Sequence, residues 1–263
     1  MYHGVIHRNS FQRGREAFTL LELLVVIAII GLIAGIALPA FKGMGRSNVT
    51  ASAQRQLLDD IALARQRAIA NRSTVYIVFV PPGIINIDPE AVIPRALTPV
   101  EKRVYTNLLA GQYTTYAIVA ARQVGDQPGT QTWRYLTDWR PLPEGSFISA
   151  NKFLGVTDAN GVQPFTYAAV PFPLTTSPRT NLPCIIFNYL GQICDTAGNL
   201  RNRDENIPLA RGSIFYARDP NGQLARQAPD VLETPANNSI TISNVVSIDF
   251  LTGRARIQQQ QVQ

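Results

Sequence analysis

From Leu23 to Phe41 the chain carries no charged residue. The seventeen positions before Phe18 are polar and basic, with Arg8, Arg13 and Arg15 against one acid, Glu16. A hydrocarbon core of ~30 Å takes about 20 helical residues. Residues 18–41 are long enough for a transmembrane helix, and this core is too long for a cleaved secretory signal. The basic flank stays cytoplasmic by the positive-inside rule, so everything after Lys42 faces the other side. Glu22 interrupts the apolar run. An ionisable group there is costly in lipid and usually has a partner or a job.

The pattern then changes period. Leu57, Ile61, Ala64 and Ala68 recur at helical spacing, with Arg55, Asp59, Asp60, Arg65 and Arg67 between them. This predicts an amphipathic helix over 42–72 with one apolar stripe. A continuous helix from Phe18 to Asn71 would be ~80 Å long. Gly31, Gly35, Pro39, Gly43 and Gly45 soften its middle, because each disfavours helix.

Residues 74–80 form a β-branched and aromatic run ended by Pro81-Pro82-Gly83. Further strands are expected at 112–121, 132–136, 147–153, 184–188, 213–216, 239–243, 245–250 and 254–258. Turns are written at Asp158-Ala-Asn-Gly161, Asp219-Pro-Asn-Gly222 and Leu251-Thr-Gly253. The Pro-rich stretches 81–110 and 154–182 read as long loops. The expected class is α+β: a long N-terminal α-helix, transmembrane in its first half and amphipathic in its second, packed on an antiparallel β domain of two sheets. The boundaries are 1–17 leader, 18–41 membrane helix, 42–72 amphipathic helix, 73–258 β-rich domain and 259–263 tail.

Composition narrows the function. With 263 residues, 46% hydrophobic and 16% charged, the chain can bury a core and is not disordered. A net charge of +6 is only mildly basic for a nucleic-acid protein. Two cysteines exclude a four-cysteine zinc site. The two histidines are His3 and His7. Removal of the leader leaves no histidine for a general base, a triad or a metal. There is no phosphate-binding Gly-Lys-Ser loop and no Gly-x-Ser-x-Gly elbow. The expectation is a protein that is not an enzyme and has no resident cofactor.

Ala17-Phe18-Thr-Leu-Leu-Glu22-Leu-Leu-Val-Val-Ile-Ala-Ile-Ile-Gly31 resembles the cleavage and methylation segment of type IV prepilins and type II secretion pseudopilins. The resemblance implies cleavage between Ala17 and Phe18, N-methylation of Phe18, an assembly role for Glu22, and a Pro, here Pro39, closing the apolar stretch. The residue before the cut is normally Gly, and Ala17 departs from that. A buried carboxylate wants a cation, so Glu22 would pair with the amino group of Phe18 on a neighbouring subunit. The alternatives are a plain signal anchor, with Glu22 reaching the membrane interface. The Gln56–Phe79 region and the ending Thr252-Gly253-Arg254-Ala255-Arg256 are similar to the GspH/FimT-like branch of minor pseudopilins. Implied partners are other pilin or pseudopilin subunits, a prepilin peptidase/methyltransferase, the inner membrane and an assembly platform.

Three smaller sites are candidates. Cys184 and Cys194 flank a turn at Asn188–Gly191 and are expected to form a disulfide or to be two free core cysteines. Asp195, Asn199 and Asp204 lie in a polar stretch that is either a solvated loop or a weak Ca²⁺ site. Arg254 and Arg256 share one face of a strand, as a solvated face or as a phosphate contact for DNA.

Overall fold

The computed structural model describes residues 19–84, 98–127, 132–155, 157, 162–218, 220–222, 224, 227–241 and 244–258; the side chains of 35–48, 240 and 241 lie outside that description. The chain divides into two compact units, residues 1–46 and 47–263. The first contributes the beginning of helix α1 (Leu20–Ala70), and the second contains its remainder and every strand.

In the second unit the apolar stripe of α1 is fully buried: Ala53, Leu57, Ile61, Ala64 and Ala68 are each 0% exposed. They join a cluster with Ile77, Phe79, Ile118, Ile185 and Phe187 from one sheet and Ile207, Val246 and Ile248 from another. The stripe expected from the periodicity is therefore the helical side of the main core.

Twelve strands are described, all antiparallel. They are β1 (Val75–Phe79), β2 (Thr115–Ala120), β3 (Arg134–Tyr135), β4 (Arg140–Pro141), β5 (Ser146–Ile148), β6 (Thr166–Pro171), β7 (Arg179–Phe187), β8 (Ile193–Cys194), β9 (Glu205–Phe215), β10 (Asp230–Glu233), β11 (Asn244–Ile248) and β12 (Ala255–Gln258). The first sheet runs β3-β2-β1-β7-β6, with β4 also on β2 and β8 on β7. The second runs β10-β9-β11-β12, with β5 also on β9. The two-sheet α+β class is as expected.

The first sheet is apolar on both faces. Along β1, β2 and β7, alternate residues enter different clusters: Ile77, Ile118 and Ile185 face the α1 core, while Val78, Val119 and Ile186 face away from it. Period-2 geometry sends neighbours to opposite faces. Covering both faces explains why these strands read as unbroken apolar runs rather than as alternation.

The cover on the second face is helix α2 (Pro99–Leu109), through Leu108 and Leu109. This corrects the reading of 81–110 as loop. Thr98 accepts the backbone N–H of Glu101 through Oγ1, and Glu101 Oε2 accepts the N–H of Thr98 at 2.7 Å. That is a reciprocal capping box, with Pro99 pre-set for the first helical turn. The Thr-x-x-Glu signal was in the sequence but lay among prolines.

Four other expectations are corrected. Residues 154–182 hold β6 and the start of β7, not only loop. The 147–153 run splits into β5 and a 3₁₀ turn, Ala150–Phe153. The 239–243 segment includes a short helix, α3 (Asn238–Thr241), rather than a strand. Strands β4, β8 and β10, each of four residues or fewer, lie where no strand was expected. The turn at 158–161 and the tail at 259–263 lie outside the described residues.

Candidate assembly site

The N-terminal site begins at Thr19. Its Oγ1 accepts the backbone N–H of Glu22 at 3.2 Å, and its carbonyl accepts the N–H of Leu23 at 3.2 Å. Thr19 is thus the cap of α1, and Glu22 is the acid of its first turn. A carboxylate there complements the positive end of the helix dipole. Sequence reading gave Glu22 an assembly role or a reach to the membrane interface and missed Thr19 as a cap, although the Thr-x-x-Glu pattern was visible. Glu22 is exposed, and its carboxylate has no partner among the described residues.

Beyond Glu22 the described side chains are bare. Leu24 and Ile27 are each 61% exposed, Ile30 60% and Leu32 68%. A Cβ added at Gly31 would meet nothing within 4 Å. Pro39 lies inside α1, which runs unbroken to Ala70. Among the described residues, no helix is long and apolar enough to cross a membrane. The apolar run with described side chains ends at Ala34, short of the ~20 residues a bilayer requires. Ala17 and Phe18 lie outside the described residues.

Residues 12–38 match the family model described as the prokaryotic N-terminal methylation motif. The chain carries a pilin-type N-terminus. The match takes in Ala17, Phe18 and Glu22 and stops one residue before Pro39. It supports a pilin-like or pseudopilin subunit that is processed by a prepilin peptidase and assembles with other pilin subunits. Proteins with this segment are structural filament subunits rather than enzymes. No curated protein and no solved structure matches the chain.

The two cysteines are both free and buried, so the expected disulfide is not formed. The turn at Asn188–Gly191 is present: Asn188 and Gln192 close it, and Gly191 supplies the positive φ it needs. The register, however, places Cys194 opposite Ile186, two residues from Cys184. Cys184 instead pairs with Val78 and Thr166 on the neighbouring strands. Burial, then the negative charge of Glu205, pushes the Cys184 thiol up to about 12. Burial, then Asp195, pushes Cys194 up to about 11.

In the acidic stretch, Asp195 and Asp204 are engaged separately. Asp195 Oδ1 accepts the N–H groups of Ala197 and Asn199 at 2.9 Å, and Oδ2 accepts the Asn199 amide at 3.1 Å. These bonds, those from Asn199 foremost, hold the Asp195 carboxyl below the usual range. Asp204 is engaged elsewhere, accepting from Phe250 N–H at 3.1 Å and facing Arg256 at 3.8 Å. Among the described residues no group of three or more His, Cys, Asp or Glu could hold a metal ion.

Glu205 reads as part of the same solvated stretch but is 1% exposed. Its carboxylate meets Lys152 Nζ on one oxygen and Arg201 at 2.5 Å on the other. Lys152 also donates to the Gln163 carbonyl at 2.6 Å and lies 4.8 Å from the Phe165 ring centroid. This buried pair pins the 3₁₀ turn to β9. No sequence signal marks it, because Lys152 and Glu205 are far apart in the chain.

Arg254 and Arg256 are both exposed. Arg256 opposes Ser247 in the β11–β12 ladder and faces Asp204, whereas the Arg254 guanidinium has no partner among the described residues.

Proposed function

We propose that the chain is a minor structural subunit of a type II secretion pseudopilus or a type IV pilus-like filament. In this reading it inserts into the bacterial inner membrane through residues 18–41 and places its β domain in the periplasm. It is cut between Ala17 and Phe18 and methylated on Phe18. The methylation motif over residues 12–38 is the observation that carries the proposal. Support comes from the bare apolar side chains of 20–33, which need cover from lipid or neighbouring helices, and from the uncompensated carboxylate of Glu22. A neighbour's Phe18 amino group would supply the missing cation and fix axial register. The mechanism is mechanical: helix packing builds the fibre and the β domain presents a surface.

The test is intact-mass and N-terminal analysis of protein extracted from membranes. The expected species begins at Phe18 and is heavier by one methyl group. A chain that keeps residues 1–17 would overturn processing and leave a membrane-anchored β module. The free, exposed guanidinium of Arg254 favours a second reading, DNA contact in a FimT-like minor pilin. There, Arg254→Ala with Arg256→Ala lowers DNA retention on a gel, and unchanged retention ends that reading.

A further inference from the structure

Both tryptophans of the chain sit in one place. Trp133 and Trp139 line an open cleft of about 380 Å³ at the β3 edge of the first sheet, with Tyr135, Arg134 and Asp138. The size lies within the range of about 300–1,000 Å³ typical of small-ligand sites. The rings are fixed in position. Tyr135 donates its hydroxyl to the Pro171 carbonyl at 2.7 Å, and Trp139 Nε1 donates to the Pro173 carbonyl at 3.0 Å. The Tyr135 and Trp139 centroids are 5.6 Å apart.

Two groups at this cleft are unspent. Trp133 Nε1 is buried and has no hydrogen-bond partner among the described residues. Asp138 is exposed and has no partner among the described residues. Arg134, itself half-exposed, spends one of its five N–H donors on Asp126 at 3.3 Å.

We propose that this cleft binds a neutral sugar ring. The charges select that class. A phosphate or carboxylate ligand would face Asp138. A quaternary ammonium would face Arg134, and Arg179 already stands 5.6 Å over the Trp133 ring. A purely apolar occupant would strip water from Asp138 and replace none of its hydrogen bonds. A hydroxylated ring offends neither sign. Its hydroxyls donate to Asp138 and accept from Arg134, while its C–H face lies on aromatic faces whose quadrupole is negative. The inference does not depend on filament assembly.

The tryptophan pair is its own reporter, because the chain has no other. The full chain, extracted in a polyoxyethylene detergent that carries no sugar, is titrated with triacetylchitotriose, maltotriose and cellobiose while tryptophan emission is followed. At least one sugar gives a saturable change with half-saturation of about 1–10 mM. Asp138→Asn, at an exposed position, weakens it about tenfold, and Trp133→Phe, which removes the unpaired N–H, weakens it as well. No saturable change with any of the three, or equal affinity in Asp138→Asn, overturns the proposal. A saturable response to choline chloride that Asp138→Asn abolishes overturns it in favour of a cation site. None of these outcomes bears on the mass of the processed N-terminus, so the two readings fail separately.

Discussion

Helix α1 has two lives. Over 20–33 its apolar side chains stand bare, Leu20 at 82% exposure; over 53–68 its stripe is buried at 0%. The composition of the two stretches explains the contrast. The later stretch alternates a narrow apolar stripe with Arg and Asp, so one face finds a sheet and the other keeps water. The earlier stretch has no polar face beyond Glu22, and a helix apolar all round needs cover on every side. The lesson is that hydrophobicity alone does not locate a core. A stripe can be satisfied by its own domain, whereas a sleeve requires lipid or other subunits.

The sharpest break of this contrast is a charge placed in each half. Ile61→Asp puts an unpaired carboxylate among β-sheet side chains and is expected to cost about 3–5 kcal/mol of domain stability. Ile30→Asp leaves that stability unchanged and instead impairs membrane association. Denaturant unfolding of the two variants, with a membrane-fraction assay, reads both. Equal destabilisation would mean the first stretch is part of the folded core.

Next comes a close approach within the β domain. Gly253, at φ 64°, sits where an added Cβ would lie 1.9 Å from the Gly191 carbonyl oxygen. The β11–β12 turn therefore rests directly on the β7–β8 turn. Gly253→Ala is expected to cost about 1–3 kcal/mol by thermal unfolding, and the same change at Gly31, where nothing is near, costs nothing in the domain.

Smaller still is an alkaline effect confined to the domain. A thiol is neutral when protonated, and both cysteines have folded values above the ordinary 9.0. The unfolded chain releases these protons first. The stabilisation is thus complete below about pH 9 and is lost as pH rises through the folded values of about 11 and 12. Denaturant midpoints should be level from pH 7 to 8.5 and fall above that, and maleimide should fail to label the native chain at pH 8. Prompt labelling would show that the thiols are accessible.

The smallest effect on folding belongs to Glu22. Glu22→Gln leaves the Thr19 cap, which takes the backbone N–H of residue 22, and removes the charge that complements the helix dipole, at about 0.3–1 kcal/mol of local helix stability. If the carboxylate pairs with a neighbour's amino group, Gln and Ala impair incorporation into filaments alike. If Glu22 only complements the helix dipole, Gln and Ala both incorporate normally.

The main features of the architecture were legible because they are local. The 57–68 stripe, the runs that became β1, β2 and β11, and the turn at 251–253 each follow from spacing along the chain. The methylation segment was legible for the same reason, since its residues are contiguous. Helix α2 and strands β6 and β10 were not, although Thr98-Pro-Val-Glu101 carried the cap. Proline content suppressed the helix reading, and a strand that borrows its ladder from a neighbour needs no strong propensity of its own.

Contiguous pattern fixed the amphipathic helix, the sheet-forming runs and the pilin-type N-terminus, because periodicity and short motifs need no knowledge of the rest of the chain. Tertiary structure alone decided the register that separates Cys184 from Cys194, the burial of Glu205 against Lys152, and the gathering of Trp133 and Trp139 at one sheet edge. Each of these depends on which strands become neighbours, and a shift of one or two residues in pairing moves a side chain to another face or another partner.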